Sequence, residues 1–332
     1  MGDGGGAEYI IAGSQAVDGF VDHTLSNGNV ALLQKSGFLN VRKCGVIGNG
    51  STDDIDALEA ARDFLIALGG GVLFYPKGNY FISRTFFIES SNIYLTGEGR
   101  AVSVILGPSA QDAVHFRRPL ASDDSTLFNV GLSNLSINPS DLSTVEAGLR
   151  ITRVTGFVGD GFSLVGYQKG LLLEGIAQCN FSNFILSAFG NTGAVAGGFG
   201  NITLAEYQSS QSGTYYQCWT SNFTNFIIGG AVKTQSAIRV VSTDGINFSN
   251  GYVAQPLTYL VSFDETANTP LTSILFNNIY FDGVSATTQA VNMPASASSE
   301  ESGVVSFNHC IFGQTSAGMT LGSELGTFTV DN

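Results

Sequence analysis

The sequence predicts an all-β solenoid, a single chain wound into stacked coils, with an α-helix at its N-terminal end. Three observations predict it. The 332 residues include 42 Gly, 24 Phe and only 7 Pro with 12% charged residues, a composition suited to many short buried strands joined by tight turns. A mark of apolar residue, small residue, Asn and then alternating apolar residues recurs along the chain. One amphipathic helical pattern stands between a Gly-rich segment and the first strand pattern.

Taken in order, residues 1–40 are polar and Gly-rich, with one apolar patch at Val30–Leu33, and read as a neck or attachment segment. A Gly-rich turn from Gly45 leads into a helix predicted over 53–68. Thr52 or Asp53 can accept from the free N–H groups of its first turn, and Asp53, Asp54 and Asp56 suit the positive end of its dipole. Ile55, Leu58, Ala61, Phe64, Leu65 and Leu68 form one apolar face, and the glycines at 69–71 end the pattern. The solenoid is expected over 41–315, and 316–332 is too short for a second domain.

The stretch Gly45-Val-Ile-Gly-Asn-Gly-Ser-Thr-Asp-Asp54, the helix, and then Gly69 to Tyr80 with its Pro76 and Gly78 carry a resemblance. They resemble the opening motif of the pectate-lyase-like superfamily, G-x-x-G-D-G-x-T-D-D, then helix, then G-G-x-V-x-x-P-x-G-x-Y. Asn49 stands where that motif has Asp. The resemblance implies a right-handed parallel β-helix and a carbohydrate connection, within a superfamily of hydrolases, lyases, epimerases and bacteriophage tailspikes. Similarity to tailspikes further implies a homotrimer of parallel rods in a virion tail, with residues 1–40 meeting other tail proteins.

The recurring mark centres on Asn134, Asp160, Asn183, Asn201, Asn225, Asn250, Asn278 and His309, at intervals of 18 to 31 residues. Each interval reads as one coil. A polar residue in register at a corner can bond its neighbours above and below while Phe, Ile and Leu stack inward. At the strand spacing of about 4.8 Å, the coils make a rod of roughly 50 Å.

A formal net charge of −13, from 14 basic and 27 acidic residues without a basic run, excludes nucleic-acid binding. It favours a neutral or weakly acidic glycan, although a local basic patch can still hold a polyanion. Cys44, Cys179, Cys218 and Cys310 lack metal-ligand spacing and read as buried thiols; His23, His115 and His309 are scattered. No metal, no cofactor and no membrane insertion are expected. The first residues carry no secretory-signal pattern, so a virion or extracellular place would be reached by another route.

Hydrolysis of a glycosidic bond needs two carboxylates. The acids beyond the helix are Asp160, Glu174, Glu206, Asp244, Asp264 and Asp282, of which Glu206, Asp244 and Asp282 are the catalytic candidates. Glu206 and Asp282 follow Asn201 and Asn278 closely, which predicts nearly the same coil corner three coils apart. The aromatic turn 206–219 offers Tyr207, Tyr215, Tyr216 and Trp219 for sugar contact. Arg239 and Arg150 occupy equivalent outward strand positions, predicted four coils apart, and would suit a lyase, but no His lies near either in sequence. The reading is a tailspike-like protein that binds and hydrolyses a bacterial surface polysaccharide. The alternatives are a non-catalytic adhesion spike and a polysaccharide lyase.

Overall fold

A computed structural model describes residues 7–34, 36–143, 146–192, 196–229, 234–254, 256, 258–264, 271–283, 289–293, 304–313, 320–321 and 328–331. Most of 316–332 and the first six residues lie outside the described part.

From Phe38 onward every strand pair of the solenoid is parallel. Two sides of each coil belong to one 19-stranded sheet and the third side to a nine-stranded sheet. The molecule is a right-handed parallel β-helix. The core fills the space between the three sides. Phe181, Phe223, Phe248, Phe276 and Phe307 share one inward register column, with successive ring centroids 4.8, 4.6, 5.0 and 4.6 Å apart. Each buried ring contributes about 1.5–3 kcal/mol by leaving water, and each aromatic pair about 0.5–1.5 more.

Two of the sharp turns in a coil are made by a single residue in the left-handed conformation, which Gly takes freely and Asn at the least strain among the others. Two aligned columns do this. Asn134, Gly161, Asn183, Asn225, Asn250, Asn278 and His309 have φ of 50° to 61°. Asn92, Asn129, Gly156, Gln178, Thr220, Gly245 and Ser273 have φ of 38° to 73°. Side chains of the first column are linked in places, as Asn278 Nδ2 donates to Asn250 Oδ1 at 2.8 Å and Asn225 Nδ2 to Asn183 Oδ1 at 3.4 Å.

Two of the predicted marks are corrected. Gly161, not Asp160, turns the corner, and Asp160 instead accepts from Asn183 Nδ2 at 2.7 Å. Asn201 is no corner at all; it is buried in the strand Ala196–Ala205 of the nine-stranded sheet. Asn183 and Asn225, 42 residues apart, are therefore successive corners of one long coil.

The helix α1 spans Ile55–Ala67 and buries Ile55, Ala57, Leu58, Ala61 and Leu65. It follows the strand Asn49–Asp53, where the sequence suggested only a turn, and takes the place that a strand of the nine-stranded sheet holds in later coils. Asp53 Oδ1 accepts from the Ile55 N–H at 3.2 Å. Arg62 Nη1 reaches the Phe87 carbonyl, on the first strand of the nine-stranded sheet, at 2.7 Å. Before the solenoid, Tyr9–Ala12, Asp22–Thr24 and Val30–Leu33 form a small antiparallel sheet, whose Leu33, with Val21 just before the second strand, joins the main core. The first coil starts at Phe38, inside the segment 1–40, because Phe38–Asn40 pairs with Gly71–Tyr75.

Candidate functional site

In the strand Ala147–Thr152, Leu149 and Ile151 point into the core, so Arg150 and Thr152 point outward. Register then stacks Phe87, His115, Arg150, Leu172, Thr203 and Arg239 in one column along the outer face of the nine-stranded sheet. Arg150 and Arg239 do share a column, three coil steps apart rather than four.

His115 is the neighbour of Arg150, one coil away, although 35 residues separate them in sequence. Arg150 grips Glu174 with two bonds of 2.8 and 2.9 Å and reaches Asp112 at 3.2 Å. Thr152 Oγ1 lies 2.8 Å from Glu174 Oε2 and 2.9 Å from His115 Nε2. A hydroxyl has one proton and an ionised carboxylate has none, so Thr152 donates to Glu174. Its lone pair then receives the His115 Nε2–H, which leaves the His115 lone pair on Nδ1. Burial, reinforced by the charges of Arg150 and Arg117, lowers the His115 pKa to about 2, so the ring is neutral at ordinary pH.

Two further cations face the same space. Arg118 donates to the Thr126 carbonyl and Ser91 Oγ, at 3.1 and 3.3 Å. Arg153, in the left-handed region with φ 55°, donates to the Asp124 carbonyl at 2.7 Å and lies 3.3 Å from the centroid of the Tyr216 ring. Neither forms an ion pair with a carboxylate among the described residues, whereas Arg117 pairs with Glu89 at 3.1 Å. Four arginines thus meet five carboxylates here, Glu89, Asp112, Asp123, Asp124 and Glu174, and Arg118 and Arg153 are the two arginines outside the ion pairs.

Two excursions from the solenoid close over this group. One is the loop 117–126, the other the turn 206–219, which forms an antiparallel hairpin at Tyr207–Gln208 and Tyr215–Tyr216. Asp123 clasps them together. It accepts from Tyr207 Oη at 2.8 Å, Ser209 Oγ at 3.0 Å, and the Ser210 N–H and Oγ at 2.8 and 2.7 Å. These bonds, with Ser210 Oγ foremost, hold the Asp123 carboxyl well below the usual range. Ser212 Oγ adds a bond to Asp124 at 2.7 Å, and Gln211 donates to the Ala121 carbonyl. Beneath lies a cavity of about 100 Å³ lined by His115, Arg117, Arg118, Arg150, Arg153 and Tyr207 among others. A larger hollow of about 660 Å³ near Glu8, Leu33 and Lys43 is shallow and gathers no such network.

Of the residues expected from the sequence, Tyr207 and Tyr216 belong to this clasp, and Tyr215 is exposed on the same hairpin. Trp219 is 53% exposed but lies on the 19-stranded sheet, opposite Asp244 of the next coil. Arg239 pairs with Asp264 at 2.6 Å. Asp282 ends a strand of the 19-stranded sheet and accepts from Tyr252 Oη at 3.1 Å. Glu206 follows the strand Ala196–Ala205 on the nine-stranded side. Glu206 and Asp282 therefore do not share a corner; the expectation failed because Asn201 is a strand residue. His115, Thr152, Arg118 and Arg153 escaped the sequence reading, since only the coil register brings them together. Cys44, Cys179 and Cys218 are buried free thiols, as expected, and burial pushes each up to about 12.

Residues 38–254 match the family described as rhamnogalacturonase A/epimerase, pectate lyase-like. The chain belongs to this family. Its matching segment begins with the first coil. Mannuronan C5-epimerase AlgE3 of Azotobacter vinelandii is 30% identical over 131 residues, which are 37% of this chain and 7% of that protein. The chain thus spans less than a tenth of that relative's length. The surface protein and adhesin PfbA of Streptococcus pneumoniae matches in structure with a TM-score of 0.60 at 15% identity, over 89% of this chain and 96% of that one. The tailspike gp49 of Acinetobacter baumannii bacteriophage Fri1, a capsular polysaccharide depolymerase, matches with a TM-score of 0.51 at 15% identity, over 94% of this chain and 56% of that one. At that identity the two likenesses speak for the fold.

Proposed function

We propose that the protein binds an acidic polysaccharide of a bacterial surface in the clasped cleft of the nine-stranded sheet. There it acts by taking a proton from the carbon next to a uronate carboxylate. The observation that carries this reading is a neutral histidine, His115, among arginines under one roof. Proton removal beside a carboxylate is hard because negative charge builds on a group already negative; Arg118 and Arg153 supply the opposing charge in a desolvated place. His115, with its lone pair on Nδ1, is the proton acceptor. Burial is the main cause of its low basicity and the charges of Arg150 and Arg117 the lesser one, and an anion bound among the arginines offsets part of that lesser cause. The outcome is elimination if the glycosidic oxygen leaves, or epimerisation if a proton returns to the opposite face. The relation to a mannuronan epimerase supports the same chemistry.

The test is incubation with polyuronates, following ultraviolet absorbance for unsaturated ends and proton NMR for inverted centres. His115→Gln should lose the activity. Elimination or inversion undiminished in His115→Gln would end this assignment.

Hydrolysis is the second reading, favoured by one observation. Asp282 sits beside Tyr252 and Tyr280, which are 37% and 40% exposed, lie 5.7 Å apart and continue an outward row with Ile227 and Ile311. Reducing ends released by the parent and not by Asp282→Asn, without unsaturated product, would establish it. Glu206 and Asp244 belong to this reading as further acids, and Trp219, Tyr215 and Arg239 as sugar contacts. In either case we place the rod in a virion tail as a homotrimer, joined to other tail proteins through residues 1–40. Its likeness to a tailspike supports that setting, and sedimentation of the purified chain tests the trimer.

A further inference from the structure

We infer that the clasped cleft receives the end of a polyuronate chain rather than its interior, an inference that rests on the acidic-glycan reading above. Three observations carry it. The loop 117–126 leaves the coil of Val114–Phe116, while the hairpin leaves the coil of Ala196–Ala205, three strand spacings away, or about 14 Å. The bonds on Asp123 and Asp124 close that gap, so the two excursions form an arch over the intervening coils, which carry Arg150, Thr152, Arg153 and Glu174. The arch is tied down from below as well, because Arg153 donates to the Asp124 carbonyl and stacks on Tyr216.

The space under the arch is about 100 Å³. That is well below the roughly 300–1,000 Å³ of pockets that enclose a whole drug-sized ligand, so it admits part of one sugar and not a sugar ring with chain on both sides. His115 is only 6% exposed, so a ring carbon reaches it only by entering beneath the roof. An interior sugar needs an open trough fore and aft. A terminal sugar needs one mouth, and Arg118 and Arg153, which line this space, suit the carboxylate that leads it in.

The test is a stoichiometry, which does not depend on turnover. His115→Gln is titrated calorimetrically with a short polyuronate and with one several-fold longer. End-on capture predicts one protein per chain at both lengths. A protein count that grows with chain length would overturn the inference while leaving the acidic-glycan reading standing. Absence of heat with both His115→Gln and the parent would overturn the two together. A second measurement uses the parent: short products should accumulate while the mean mass of the polymer falls slowly, and an early collapse of mass would contradict end-on entry. Ser210→Ala with Gln211→Ala removes two ties of the arch and leaves Asp123, Arg150 and His115 in place. That variant should shift the product profile toward internal cuts, and an unshifted profile counts against the arch as the cause.

Discussion

His115 makes the network testable through pH. Its folded pKa is depressed from the ordinary value of 6.5 to about 2, mainly by burial and then by Arg150 and Arg117. The native state therefore excludes a proton that the unfolded chain accepts. Stability from this group is fully present above pH 6.5 and is lost as pH falls toward 2. Each pH unit in that window removes about 1.4 kcal/mol, so going from pH 6.5 to 5 removes roughly 2 kcal/mol. Carboxylates titrate in the lower part of this range too, so the difference between the parent and His115→Gln isolates the histidine. Denaturant midpoints at pH 7, 6 and 5 should fall faster for the parent than for His115→Gln. In proton NMR, the ring signal missing from the variant should not move over that range. A His115 that titrates near 6.5, or equal pH slopes in the two proteins, would refute the argument for a neutral buried ring and with it the tautomer assigned through Thr152.

Other perturbations follow from the same geometry. Asn250 holds φ 55° and accepts from Asn278, so Asn250→Ala should cost about 2–3 kcal/mol and Asn250→Gly about 1, measured by chemical unfolding; equal losses would deny the left-handed strain. Phe248→Ala removes a ring between neighbours at 4.6 and 5.0 Å and should cost about 3–5 kcal/mol, and a change under about 1 would mean that the column relaxes freely. Arg150→Met leaves Glu174 and Asp112 without their shared cation, and should lower stability by about 3 kcal/mol while raising the His115 pKa, both read in the assays above. Trp219→Ala should leave oligouronate affinity in the cleft unchanged, because Trp219 stands on the other sheet; a tenfold loss would move the glycan site there.

Much of the fold could be read from the sequence because its signals are local. The helix pattern from Ile55 to Leu65, the inward Phe of the later coils and the Asn corners at 134, 183, 225, 250 and 278 are each decided by neighbours a few residues away. Asn201 shows the limit: it follows Phe-Gly as a corner Asn would, yet is buried in a strand because the long coil postpones its corner to Asn225. The site was half legible. The turn 206–219 stood out by composition as a place for sugar contact, and in the structure its Tyr207 bonds Asp123 while its Tyr216 lies against Arg153. What they cover did not stand out, since His115, Arg150 and Glu174 come from three coils and meet only through a register that variable loops conceal.

Above all, a carboxylate of the glycan must meet Arg118 and Arg153 beneath the arch. Calorimetric binding of one oligouronate and of its neutral methyl ester tests that directly, at low and at moderate salt. The acid should bind, weaken as salt rises, and weaken at least tenfold in Arg118→Ala with Arg153→Ala, while the ester should bind poorly throughout. Equal affinity for acid and ester, unaltered by those two substitutions, would contradict the cleft as the place where this protein meets its glycan.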